Sequence, residues 1–274
     1  MTPRTRAALL VARAAPAARG LAAPPAAAAD EATVSVLHAI PEGSGADVVD
    51  VYAGDSLLID NFTPGTLKTL EVPAGTYDLA VYADGDSPGS GTAVLSAPGT
   101  EVPAGANATV TANLTADGDP ALNVFVNDTS TVPAGQGRLV VRHIAAAPAV
   151  DVRANGDVLF ADLTNPNEDS AEVPVATYEA DVVLAGTDTV ALGPADVPIT
   201  EGTTTIVYAW GSAEGDSLAL ATQVVEAHSG TPGSVPAGDG SSVPAGVPGW
   251  ALALGALAAL GVAASTIRIA ASKA

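Results

Sequence analysis

Cysteine is absent from the 274-residue sequence, and only 10 lysines and arginines stand against 30 aspartates and glutamates. The first absence excludes disulfides, iron–sulfur clusters, thiolate zinc sites and a cysteine nucleophile. The second excludes a surface that neutralises nucleic-acid phosphates, so DNA and RNA are not expected as partners. Aromatic residues make up 4% of the chain, too few for a broad sugar-stacking platform. No Gly-x-Ser-x-Gly stands between a strand and a helix, and there is no phosphate-binding loop, so enzymatic chemistry is not expected.

The charges that are present are unevenly placed. All 30 acids lie between Asp30 and Asp239, whereas Arg4, Arg6, Arg13, Arg19, Arg268 and Lys273 lie outside that stretch. The segment 30–246 therefore sets four basic residues against every acid, a net of −26. Residues 1–29 carry arginines, a short apolar run at Ala7–Val11 and Ala27-Ala28-Ala29 before Asp30. That order is expected of a secretory signal peptide, although Arg13, Pro16 and Arg19 interrupt its apolar part. Near the other end, Val247–Ile267 is 21 residues without a charge. As a helix it would extend about 31 Å, the thickness of a hydrocarbon core of about 30 Å. Trp250 occupies an interfacial position, and Arg268 and Lys273 follow the run. Their positive charge predicts a cytoplasmic tail at 268–274, one transmembrane helix at 247–267 and an ectodomain outside the cell membrane. The Gly/Pro/Ser-rich segment 229–246 between body and anchor is expected to be a stalk.

The body reads as strands. Thr33–His38, Val48–Tyr52, Leu57–Ile59, Thr66–Val72, Tyr77–Tyr82, Ala108–Leu114 and Leu122–Val126 are short runs separated by Gly, Pro, Asn and Asp. In Thr109-Val110-Thr111-Ala112-Asn113-Leu114, polar and apolar residues alternate, which predicts one polar and one core-facing side. The pattern then recurs. Val36-Leu37-His38-Ala39 aligns with Val141-Arg142-His143-Ile144, and the stretch from Val49 to Asp55 aligns with that from Val150 to Asp157. Glu71–Tyr77 aligns with Glu172–Tyr178 at an offset of 101, and Asn107–Leu114 is matched to Thr203–Trp210 at an offset of 96. The fold class that follows is all-β: two tandem antiparallel immunoglobulin-like β-sandwich domains at 32–130 and 138–228, plus the C-terminal transmembrane helix.

The combination of His38, then Val49-Asp50-Val51-Tyr52-Ala53-Gly54-Asp55, then Val72-Pro73-Ala74-Gly75-Thr76-Tyr77 resembles the bacterial and archaeal surface family called domain of unknown function 4397. Both repeats resemble it. The resemblance implies exported β-sandwich modules in tandem, tethered to a membrane or wall, and carries no catalytic residues with it. The second repeat departs at Val175-Ala176, in place of the Ala-Gly of the turn, and at Arg153, in place of Tyr52. Val-Pro-Ala-Gly itself also starts at Val102, Val132, Val235 and Val243. It marks turns and extended linkers, because proline fixes φ and glycine permits φ > 0.

Three sets of residues are candidates for chemistry. His38 with Asp50, and His143 with Asp151, form a repeated ionisable pair, expected to be a structural brace between strands and alternatively a carboxylate-oriented base or ligand. Asp84 with Asp86, Asp117 with Asp119, and Glu214 with Asp216 lie in acidic turns whose spacing suits calcium, although Asp-Gly is also a hairpin signal. Trp210, Tyr52, Tyr77 and Tyr82 are the candidate stacking residues for a carbohydrate. Asn61, Asn107, Asn113 and Asn127 begin Asn-x-Thr sequons. The expectation is a non-enzymatic, membrane-anchored cell-surface protein, without a required cofactor, serving adhesion, envelope organisation or binding of an extracellular ligand. The alternative is a carbohydrate- or calcium-binding accessory module.

Overall fold

A computed structural model of the chain describes residues 31–227. The expected signal peptide, stalk, transmembrane helix and tail lie outside the described residues. Among the described residues there is no helix long and apolar enough to cross a membrane.

Module 1 consists of β1 (Glu31–Ala39), β2 (Val49–Ala53), β3 (Ser56–Phe62), β4 (Leu67–Pro73), β5 (Gly75–Ala83), β6 (Leu95–Val102), β7 (Asn107–Leu114) and β8 (Pro120–Val126). Module 2 repeats the series as β9 (Gln136–His143), β10 (Val150–Ala154), β11 (Asp157–Leu163), β12 (Glu168–Pro174), β13 (Thr177–Leu184), β14 (Val190–Pro198), β15 (Thr203–Trp210) and β16 (Ala219–Glu226). Each module stacks two four-stranded sheets. In module 1 their orders are β4-β1-β7-β8 and β3-β2-β5-β6; in module 2 they are β12-β9-β15-β16 and β11-β10-β13-β14. The strand order is the same in both copies.

Three features differ from the expectation. The sandwiches are not wholly antiparallel, because β1 pairs with β7, and β9 with β15, in parallel. Each module has eight strands, and the one unread in the first repeat is β6. Its sequence, Leu-Ser-Ala-Pro-Gly-Thr-Glu-Val, is broken by Pro98 and Gly99. Proline cannot donate to an interior ladder, but β6 and its counterpart β14 are edge strands, where it is tolerated. Finally, His38 lies opposite Ala112 and His143 opposite Ala209, so β7 maps onto β15 at an offset of 97 and not 96. One residue matters here, since a slip of one exchanges the two faces of a strand. At 97, Val110 corresponds to Val207, and both lie in the core of their own sandwich.

Two of the three apolar clusters are the sandwich cores. One contains Val36, Val49, Val51, Ile59, Phe62 and Val81; the other contains Val141, Val150, Val152, Phe160, Val182 and Val207. The third joins the modules, with Leu37 and Ala39 packed among Val140, Ile144, Ile206, Tyr208 and Trp210. The sheet carrying β1 and β7 therefore lies against the sheet carrying β9 and β15. This explains why β15 is buried along its whole length while β4, at a sheet edge, is buried at none of its positions. Thr109, Thr111 and Asn113, the polar side of β7, are fully buried. That side is covered by the second module and not by water. Both modules fall in one compact unit.

Candidate functional site

The repeated histidines and aspartates occupy matching positions, yet they brace different segments. Nε2 of His38 lies 2.7 Å from the Ala46 carbonyl, and the Ile40 N–H points at Nδ1 from 3.4 Å. In module 2, Nε2 of His143 lies 3.0 Å from the Pro148 carbonyl, with the Ala145 N–H 3.4 Å from Nδ1. These contacts assign the proton to Nε2, which donates to the carbonyl. Desolvation by burial lowers the pKa of both rings below the usual histidine value; the carbonyl contact opposes it, and Asp47 opposes it further at His38.

The aspartates face other loops. Asp50 accepts the N–H of Asn61 at 3.0 Å and, at 3.4 Å, that of Gly85; Asp151 accepts those of Asp162 at 2.9 Å and Gly186 at 2.8 Å. The two N–H bonds lower the pKa of Asp151, since they favour the ionised form. Asn61 and Asp162 sit at φ of 52° and 54°, a left-handed conformation that each aspartate pins from across the strand pair. The described contacts of His38 and Asp50 are thus with separate backbone groups, and the same holds for His143 and Asp151. The sequence spacing identified the residues but not their partners.

The acidic turns are dispersed. Asp84 and Asp86 follow β5, Asp117 and Asp119 join β7 to β8, and Glu214 and Asp216 join β15 to β16. Among the described residues no three His, Asp or Glu side chains converge in a way that would hold a metal ion. The Asp117 turn is closed by its own chain, with Thr115 Oγ1 accepting the Asp119 N–H at 3.1 Å.

The aromatic candidates also divide. The Tyr77 hydroxyl donates to the Pro73 carbonyl at 2.6 Å, and Tyr178 does the same to Pro174 at 3.0 Å, each tying the turn before its strand. Trp210 is buried in the contact between modules, close to Gly65. Tyr52 and Tyr82 meet at 84° with ring centres 5.5 Å apart, an edge-on pair and not a coplanar platform. Of the sequon asparagines, Asn113 and Asn127 are buried and hydrogen-bonded, Asn107 is half-buried and Asn61 is exposed.

A polar network that the sequence reading missed lies between the modules. Gln223 Nε2 donates to Ser35 Oγ at 3.0 Å, while Gln223 Oε1 accepts from Thr109 at 3.0 Å and from the Tyr208 hydroxyl at 2.6 Å. Arg142 donates through Nη1 to the Tyr208 oxygen at 2.9 Å and through Nε to Glu168 at 2.6 Å. Its guanidinium lies 4.4 Å from the centre of the Phe125 ring, which belongs to module 1. Asn165 adds a second tie, its Nδ2 donating to the Leu114 and Ala145 carbonyls at 2.8 and 2.6 Å. Desolvation raises the pKa of the Tyr208 hydroxyl, so it stays protonated. The one sequence signal for this face was Arg142 in the place of Leu37: a charge inside an apolar repeat position calls for a partner.

Residues 32–153 match the family model described as Domain of unknown function (DUF4397). The match takes in module 1 from its second residue and nearly all of the first two strands of module 2, and it supports the resemblance read from the motifs. No curated protein matches the chain. Among solved structures, the Bacillus anthracis TIE protein is similar at 8% identity with a TM-score of 0.21, over 65% of this chain and 33% of that one. The chain thus spans about a third of that protein's length, and so slight a likeness carries no argument about function.

Proposed function

We propose that the chain is a non-enzymatic, membrane-anchored surface protein that presents two β-sandwich modules outside the cell, for adhesion, envelope organisation or binding of an extracellular ligand. The reading is carried by the charge map: a body with a net of −26 is followed by 21 uncharged residues and then by Arg268 and Lys273. A hydrocarbon core accepts the uncharged run, and the positive-inside bias sets its direction. The module contact adds support. With Gln223, Arg142 and Asn165 bonded across or along it, the two sandwiches form one stiff four-layer body, suited to hold loops and edges away from a membrane. The repeated histidines and aspartates serve this body as braces for its loops.

Fractionation and protease shaving of intact cells test the proposal. The full chain is expected in the membrane fraction, with the acidic body removed by external protease and the tail retained. Recovery of the chain in the cytosolic fraction, or a body protected until the cells are broken, would overturn it.

A further inference from the structure

The two sandwich cores are filled to different degrees. Module 1 leaves a cavity of about 130 Å³ between its sheets, whereas the corresponding space in module 2 is about 20 Å³. The cause lies at one end of the sandwich. In module 2, Ile199 is buried and rests directly over Gly137, where a Cβ would meet the Ile199 methyl at 2.5 Å. The equivalent positions in module 1 are Val102 and Ala32: Ala32 pairs with Val72 as Gly137 does with Val173, and Thr76 pairs with Glu101 as Thr177 does with Pro198, one residue before Val102 and Ile199. Ala32 places a methyl where Ile199 settles in the other module, and Val102 is shorter by one methylene and remains half-exposed. Module 1 is therefore left without its plug.

We infer that this cavity is a binding site for an uncharged hydrocarbon group of about six to eight carbons. Its volume is close to the roughly 150 Å³ at which an apolar protein cavity stays dry and takes up benzene. The walls are aliphatic and aromatic, with Val36, Val49, Leu58, Phe62, Val81 and Val110 among them. Only three lining residues have polar side chains, and the two hydroxyls among them already donate their protons within the protein. The Tyr77 hydroxyl already donates to Pro73 and the Thr100 hydroxyl to the Ala97 carbonyl. Glu101, the third, is exposed, and its charge disfavours an anionic head group such as a fatty-acid carboxylate at the entrance. Val124 and Val126, 47% and 71% exposed, also line the cavity, so it opens to solvent beside β8. The guest is a hydrocarbon end with a neutral or cationic continuation, carried either by a membrane lipid or by a free molecule. This inference goes beyond surface presentation and does not depend on the anchor, since the plug is missing wherever the chain resides.

The test is methyl NMR on the full chain in phosphatidylcholine nanodiscs, titrated with fluorobenzene. Saturable shifts are expected at Val81 and Val110, with module 2 methyls such as Val182 and Val207 unmoved. Two variants close the site in different ways: Ala108→Leu fills it, and Ala32→Gly with Val102→Ile installs the plug of module 2. Both are expected to weaken fluorobenzene binding at least tenfold. Wild-type shifts that do not saturate, or binding unchanged in both variants, would overturn the inference. Contacts from the Val81 methyls to lipid methylenes would assign the guest to the membrane, and contacts only to added n-octane would assign it to a free hydrocarbon. Contacts to neither would exclude an alkyl guest and overturn the assignment.

Discussion

The two modules share one strand order and one set of braces, yet they have diverged on both faces of their common sheet. On the outer face, small and polar residues of module 1 meet bulky residues of module 2. Ser35 stands where module 2 has Val140, Thr109 where it has Ile206, Thr111 where it has Tyr208 and Asn113 where it has Trp210. Large side chains thus fall on small ones, and a face that two identical modules could not share becomes complementary. On the inner face module 2 is again the fuller copy: its core is filled and that of module 1 is left open. An empty space of 130 Å³ forgoes on the order of 3 kcal/mol of packing at about 24 cal/mol per Å³. The shared strand order supplies the scaffold, and the differences between the modules supply the contact and the cavity.

The strongest way to break the contact is Arg142→Ala. It removes the guanidinium from over the Phe125 ring of module 1 and leaves an empty buried space, while the exposed Glu168 returns to water; about 3 kcal/mol is expected in chemical denaturation. Arg142→Leu, which restores the residue found at Leu37, is expected to cost less, because an apolar side chain can refill the space. Next is Gly137→Ala. Its Cβ would stand 2.5 Å from both the Ile199 methyl and the Thr200 carbonyl, so module 2 is expected to lose up to about 3 kcal/mol through overpacking. The reverse change, Ala32→Gly with Val102→Ile, is expected to stabilise module 1 by calorimetry. A stabilised Gly137→Ala would show that the plug is not what separates the cores.

Gln223→Leu takes one partner each from Ser35, Thr109 and Tyr208 and is expected to cost about 2 kcal/mol, with one unfolding transition expected of the wild type and two of the variant. Retention of one unshifted transition would mean that the modules are held by apolar contact alone. Tyr52→Ala removes the edge contact with Tyr82 that module 2 lacks, and about 1 kcal/mol is expected.

The finest comparison concerns acid. Both histidines have folded pKa values below the usual one, so the unfolded chain takes up protons first as pH falls through about 6.5. Their contribution to stability is therefore present above that pH and lost as the pH falls toward their folded values. Asp47 partly offsets the shift at His38, and no such carboxylate acts on His143. His143→Gln is therefore expected to flatten the pH dependence of the melting temperature between pH 7 and 5 more than His38→Gln does. Equal slopes in the two variants would remove the distinction.

Much of the architecture was legible because it repeats. Alternation set the strands, and the offset of 101 between Glu71–Tyr77 and Glu172–Tyr178 set the two copies. The edge strand β6 escaped notice because Pro98 and Gly99 look like a loop unless an edge is already known. What covers the polar face of β7 was not legible for a related reason: a threonine covered by another domain and a threonine covered by water have the same local pattern. Of the candidate residues, His38, Asp50, His143 and Asp151 each meet backbone groups on loops whose approach no spacing rule gives.

The sequence alone determined the charge map, the strand composition and the duplication, because these depend on residue types and their period. Tertiary structure decided which faces were hidden, which partners met the buried arginine, and that one core is full while the other is open. Those outcomes turn on single methyl groups, as at Ala32 and Gly137, and on contacts between residues far apart in the chain, as between Ser35 and Gln223. Packing responds to distances of a few tenths of an ångström, and a linear pattern does not carry them.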